Sequence, residues 1–170
     1  MDQGARYLEL SRLGRAQFLR SSAPAALVRE AGPLDGSDSS PKDEDEAETT
    51  LVSGFDAITR RRSRTAAVFP MIKKPGAPFP EMITIGRTAN NDVVLNDVTV
   101  SRFHAYVKAS GDSWMVCDSG SKNGTRLDGD RLDARKETAL PPGSHVKFGE
   151  VDGVFYTASE LYDYLVSVGD

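Results

Sequence analysis

Residues 83–127 read ITIGRTANNDVVLNDVTVSRFHAYVKASGDSWMVCDSGSKNGTRL, and three short polar clusters punctuate this stretch. They are Gly86-Arg87, Ser101-Arg102-Phe103-His104 and Ser121-Lys122-Asn123-Gly124-Thr125, each at the end of an apolar alternating run. Alternation marks half-buried strands, so the clusters read as loops at strand ends, where binding residues collect on a β-scaffold. They bring two guanidiniums, an ammonium, hydroxyls and an amide without a carboxylate, a donor set suited to an anionic group such as phosphate.

Outward from this stretch the texture is the same. Short strands are predicted at 82–85, 92–95, 104–108, 113–118, 125–128, 144–148 and 151–157, separated by Asn-Asp, Ser-Gly-Asp, Asp-Gly and Pro-Pro-Gly turn signals. TAAVFPMI opens the series from Thr65, and Lys73 to Pro78 forms a turn-rich link. Short, evenly punctuated strands predict an all-β protein, an antiparallel β-sandwich over 65–157. Residues 158–170 predict a C-terminal helix, with Leu161, Tyr164, Leu165 and Val168 on one face and Ser159 as N-cap.

The spacing G-R, then S-R-x-H-A fourteen residues later, then G-S-x-N-G-T after another strand pair, resembles the forkhead-associated (FHA) domain, a reader of phosphothreonine peptides. The resemblance covers 65–157 and implies an FHA-type sandwich. It assigns Arg87 and Ser101 to the phosphate, Lys122 to a loop position touching it, and Asn123 to the peptide backbone. Arg102 can add its backbone N–H or its side chain. Gly86, His104, Gly124 and Thr125 support the site, the glycines through backbone conformation and His104 by bracing its loop.

The implied function is a noncatalytic adaptor in Ser/Thr kinase signalling, whose partners are phosphothreonine-containing proteins and a Ser/Thr protein kinase. The alternative is a phosphate-independent FHA scaffold. A hydrolase built on Ser101 and His104 is disfavoured because no nucleophile elbow, Walker sequence or metal-ligand cluster accompanies them. No catalytic residue, cofactor or metal is expected.

Composition agrees. The 170 residues suffice for one domain and a tail, no apolar run nears the ~20 residues of a membrane span, and MDQGARYLEL lacks the order of a signal peptide. A cytoplasmic protein without a membrane partner is expected. Residues 65–170 hold 11 Lys/Arg against 14 Asp/Glu, a net of −3, within a chain of net charge −4. A basic spot on an acidic domain suits one local anion rather than a nucleic acid. Cys117, the single cysteine, allows no internal disulfide and reads as a buried side chain.

Residues 1–31 read as a short amphipathic helix, weakened by Gly14 and Pro24, which either packs on the domain, frays or docks a partner. Residues 32–64 read as a disordered linker, acidic then basic: 32–50 lack periodicity and carry five acids between Asp43 and Glu48, and Leu51, Val52, Phe55 and Ile58 then precede the basic run from Arg60 to Arg64. Thr49 and Thr50, behind those acids, are candidate phosphoacceptors. The segment is similar to the tail of short bacterial FHA regulators, in which the domain captures a phosphorylated threonine of its own tail. Ser63, with arginines at the three preceding positions, is a candidate for a basophilic kinase.

Overall fold

In the computed structural model, which describes residues 3–29 and 67–169, the alternating runs form the inward faces of two sheets. Thr49, Thr50, Ser63 and the acidic run fall outside the described residues. The strands are β1 (Ala25–Arg29), β2 (Ala67–Pro70), β3 (Ile83–Gly86), β4 (Val93–Val94), β5 (Ala105–Ser110) and β6 (Ser113–Asp118). β7 (Thr125–Leu127), β8 (Asp130–Arg131), β9 (Thr138–Ala139), β10 (His145–Phe148) and β11 (Val151–Thr157) complete them. One sheet runs β2-β1-β11-β10-β7-β8 and the other β4-β3-β5-β6-β9. All neighbours are antiparallel except β3 and β4, which run parallel.

Between the sheets lie Leu27, Met71, Ile85, Val107, Val116, Val146, Phe148 and Phe155, with Trp114 set edge-on to Phe155 at 5.5 Å. The predicted Asp-Gly signal closes the β7–β8 hairpin. Asp128 and Gly129 have φ of 49° and 89°, the two left-handed residues of a type I′ turn. Asp128 therefore leaves the strand that the sequence extended through it.

The sandwich draws one strand from 1–31, a region the sequence reading kept outside it. β1 lies between β2 and β11, with Leu27 opposite Phe155 and Phe69. Its Ala25 and Leu27 enter the sandwich core, whereas Ala26 and Val28 enter a second core beneath the helices. A strand buried on both faces shows an unbroken apolar run, AALV, which periodicity cannot separate from a helix segment.

Two helices precede β1, α1 (Gln3–Arg12) and α2 (Arg15–Ser21), and α3 (Ala158–Gly169) follows β11. Tyr7, Phe18, Leu161 and Leu165 pack on Ala26, Val28 and Val68, so this face of the sheet is covered. Fully burying Phe18 contributes about 1.5–3 kcal/mol. The residue immediately before α3 is Thr157, so Ser159 lies inside the helix rather than at its N-cap, and the Thr157 hydroxyl meets the Glu160 carboxylate at 3.5 Å. The Ser159 hydroxyl instead accepts from Arg15 of α2. Val168 stays 55% exposed, off the buried face predicted for it.

Candidate functional site

The ends of β3 and β6 and the starts of β5 and β7 meet at one edge of the sandwich, and Ser101 ties their loops together. Arg87 N–H donates to the Ser101 carbonyl at 3.0 Å, and Lys122 N–H donates to Ser101 Oγ at 3.1 Å. Ser101 N–H donates to His104 Nδ1 at 3.0 Å. All three predicted clusters therefore converge on one residue. With one Ser101 lone pair engaged by Lys122, the hydroxyl proton is left to donate outward.

Gly86 has a steric reason beyond the backbone freedom expected of it. A Cβ at this position would lie 2.1 Å from the Arg102 carbonyl oxygen and 2.6 Å from Asn91 Nδ2. Its φ is not positive, so close approach alone requires glycine. The Asn91 side chain, 2% exposed, donates to that carbonyl at 2.6 Å and to the Thr88 carbonyl at 3.0 Å. Asn91 thus joins the Arg87 loop to the Arg102 loop. Beside it the buried Asp92 carboxylate accepts from Thr84 N–H, Lys74 N–H and Lys73 Nζ, the last at 2.7 Å. Asn90-Asn91-Asp92 reads only as a turn in sequence, since nothing local indicates these distant partners.

Asp118 shapes the third loop. Its carboxylate accepts from Gly120 N–H, Ser121 N–H, Ser121 Oγ and Thr125 Oγ1 at 2.5–3.1 Å. Burial acts to raise its pKa, yet the hydrogen bonds from Ser121, Thr125 and Gly120 prevail and hold it below the carboxylate range. His104, fully buried, accepts from Ser101 N–H at Nδ1, which places its proton on Nε2 for donation to the Gly124 carbonyl at 2.9 Å. Burial holds the imidazole below its ordinary pKa, against the opposing pull of Gly124 and Asp118. Both ring nitrogens face backbone groups, so Ser101 Oγ and His104 are not arranged as nucleophile and base.

Asn123 and Lys122 are exposed on this loop. Asn123 Nδ2 donates to the Thr99 carbonyl at 2.8 Å, leaving a second N–H and the amide oxygen for a partner. Thr99 itself is fixed by donating to Asp97 and accepting from Glu150 N–H at 2.8 Å. Among the described residues, no ion pair includes Arg87, Arg102 or Lys122. Gly124, with φ +81°, turns the chain into β7, where Thr125 is fully buried. Among the described residues there is no cluster of His, Cys, Asp or Glu able to hold a metal ion, and no helix long and apolar enough to cross a membrane.

A sequence model of the FHA domain matches residues 83–149. The chain is similar to the glycogen accumulation regulator GarA of Mycolicibacterium smegmatis, 30% identical over 157 residues spanning 92% of this chain and 86% of that one. It is also similar to the oxoglutarate dehydrogenase inhibitor of Corynebacterium jeikeium, 35% identical over 80 residues, 47% of this chain and 54% of that one. Among solved structures, Mycobacterium tuberculosis EmbR in complex with a low-affinity phosphopeptide aligns at TM-score 0.48 and 20% identity, over 78% of this chain and 24% of that one.

Proposed function

This chain belongs to the forkhead-associated family, and from that premise we propose that it is a noncatalytic reader of phosphothreonine peptides acting with a Ser/Thr protein kinase. The observation that carries the proposal is the convergence on Ser101, whose carbonyl and hydroxyl bind the backbone N–H groups of Arg87 and Lys122 and so bring the loops that bear Arg87, Arg102 and Lys122 to one point. A phosphothreonine carries about −1.5 to −2 charges at pH 7 and three acceptor oxygens. Arg87 meets it with a planar fork, Ser101 with its O–H, and Arg102 and Lys122 with further positive charge; Asn123 holds the peptide backbone. Each charge-assisted hydrogen bond contributes ~1.5–3 kcal/mol, so two or three supply about 3–9 kcal/mol, and contacts to the peptide backbone and flanks are needed beside them to offset the ordering cost of a micromolar site. That the similar proteins are a regulator and an inhibitor supports a noncatalytic role.

The proposal extends to a switch in which phosphorylated Thr49 or Thr50 occupies the site of its own molecule. Arg29 and Ala67 are register partners, so the span 30–66 leaves and rejoins the sheet at one point. That point is near the site. Val28, next to Arg29, pairs with Val154 near the start of β11, and Glu150, just before that strand, donates its N–H to Thr99 Oγ1 at 2.8 Å. Thr99 is also the residue whose carbonyl Asn123 holds. A tether this short gives an effective concentration of about millimolar, enough to fill a weak site.

Titration with a degenerate phosphothreonine peptide library, its unphosphorylated twin and the Arg87→Ala variant tests the reading. Preference for the phosphorylated set that vanishes in the variant is expected. Equal binding of both sets by the unaltered protein overturns it in favour of a phosphate-independent scaffold. For the switch, amide spectra of the full chain are compared before and after kinase treatment. Unshifted signals at Arg87 and Ser101 after modification of Thr49 or Thr50 refute it.

A further inference from the structure

We propose that Arg131 and Arg135 form a second anion subsite beside the Ser121–Thr125 cluster, reading acidic side chains that flank a ligand's phosphothreonine. This rests on the phosphothreonine reading above. The two guanidiniums bracket the loop at 120–124. A Cβ on Gly124 would sit 2.8 Å from Arg131 Nε and 3.1 Å from its Nη2, and one on Gly120 would sit 3.6 Å from Arg135 Nη2. Glycine at both points lets the arginines lie against the backbone that carries Lys122 and Asn123.

Arg135 has φ of 62°, left-handed backbone that long side chains rarely adopt, and its N–H is fixed to the Asp118 carbonyl at 2.7 Å. Gly or Asn would fit that conformation with less strain, so the guanidinium is kept at a cost to the fold. Arg131 stands directly opposite Arg126, which stands opposite Lys147, a row of like charges that weakens sheet pairing. Lys147 is offset by Glu150 at 3.3 Å, but among the described residues no ion pair includes Arg131 or Arg135. Both are exposed. The neighbouring acids have other engagements, Asp128 with His145 N–H and Asp133 with Lys136, while Asp130 is exposed in β8.

The occupant that fits is an acidic peptide segment. Exposed Val98 and Phe103 flank the Thr99–Arg102 loop, whereas the arginines lie against Gly120 and Gly124 of the loop facing it, so a ligand across the two loops meets apolar and cationic chemistry. This chain contains a sequence of that pattern, with five acids before Thr49-Thr50 and Leu51, Val52 and Phe55 after them. It supplies the probe.

Peptides spanning residues 42–54, phosphorylated at Thr49 or Thr50, are titrated against the full unphosphorylated chain by fluorescence anisotropy, alongside versions with the acids at 43–48 replaced by Gln. Several exposed charge pairs, each a factor of about 1.5–5, make the acidic peptide about tenfold tighter at low salt. The gap narrows at high salt. The double variant Arg131→Gln/Arg135→Gln loses about fivefold more on the acidic peptide than on its neutral twin, and Arg131→Lys/Arg135→Lys retains most of the gap. Amide spectra check that the variants fold. Equal, phosphorylation-dependent binding of acidic and neutral peptides overturns the subsite, as does an equal loss on both in the Gln variant. Binding that ignores phosphorylation altogether is a different failure, that of the reading beneath it.

Discussion

Replacing Gly86 by alanine isolates the steric closure of the site, because no backbone strain accompanies it. The added Cβ sits 2.1 Å from the Arg102 carbonyl oxygen, whereas ordinary contact begins at 3.4 Å, so the Arg102 loop has to retreat by roughly 1 Å or more. That retreat breaks the Asn91 bond to the same carbonyl and strains the Arg87 bond to Ser101. Two hydrogen bonds at about 1 kcal/mol each predict a loss near 2 kcal/mol, which lowers the urea midpoint by about 1 M at a slope of about 2 kcal/mol/M. Under the proposed function, phosphothreonine-peptide affinity is expected to fall as well, by about tenfold for each 1.4 kcal/mol lost, because Ser101 moves away from Arg87. Gly111→Ala is the control. Its φ is +61° with nothing within 4 Å, so it costs about 1 kcal/mol of backbone strain and leaves the site alone. An unchanged urea midpoint for Gly86→Ala, together with unshifted Ser101 to Phe103 amide signals, refutes the argument.

A fragment beginning at residue 65 is expected to lose cooperative unfolding, because it lacks β1 and exposes the partners of Leu27 and Val28 in both cores; a full-length midpoint for that fragment would refute it. Asp118→Ala removes the acceptor of four hydrogen bonds and is expected to cost about 3 kcal/mol by urea titration, with Asp118→Asn costing less. Since burial lowers the His104 pKa from 6.5, the unfolded chain takes up a proton that the folded chain refuses. The contribution of His104 is fully present above pH 6.5 and is lost as pH falls toward the folded-state pKa, by up to about 1.4 kcal/mol per pH unit. Unfolding curves from neutral to mildly acidic pH should show this slope, and its persistence undiminished in His104→Gln would count against the assignment.

Much of the sandwich was legible because its strands carry their own instructions. Residues 151–157 alternate in burial, and residues 113–118 are a short apolar run, Trp114 to Cys117, bounded by Gly111-Asp112 and Asp118; β11 and β6 occupy those bounds. Asp128-Gly129 is likewise local, since two left-handed residues in succession make one hairpin turn. The three polar clusters were visible for the same reason, as interruptions in a period.

Their meeting at Ser101 belongs to the tertiary structure, and so does β1. Nothing in AALV says which face is covered, because both are, one by the opposite sheet and the other by α1, α2 and α3. Gly86 and Asn91 depend on a carbonyl more than ten residues away in sequence, and Arg131 and Arg135 on a loop they reach only through the β7–β8 hairpin and the Asp118 carbonyl. Alternation and turn chemistry determine the conformation of a short segment because they act through neighbouring dihedrals. Which segments then touch is decided by how two sheets and three helices bury one another, a relation that no local pattern contains.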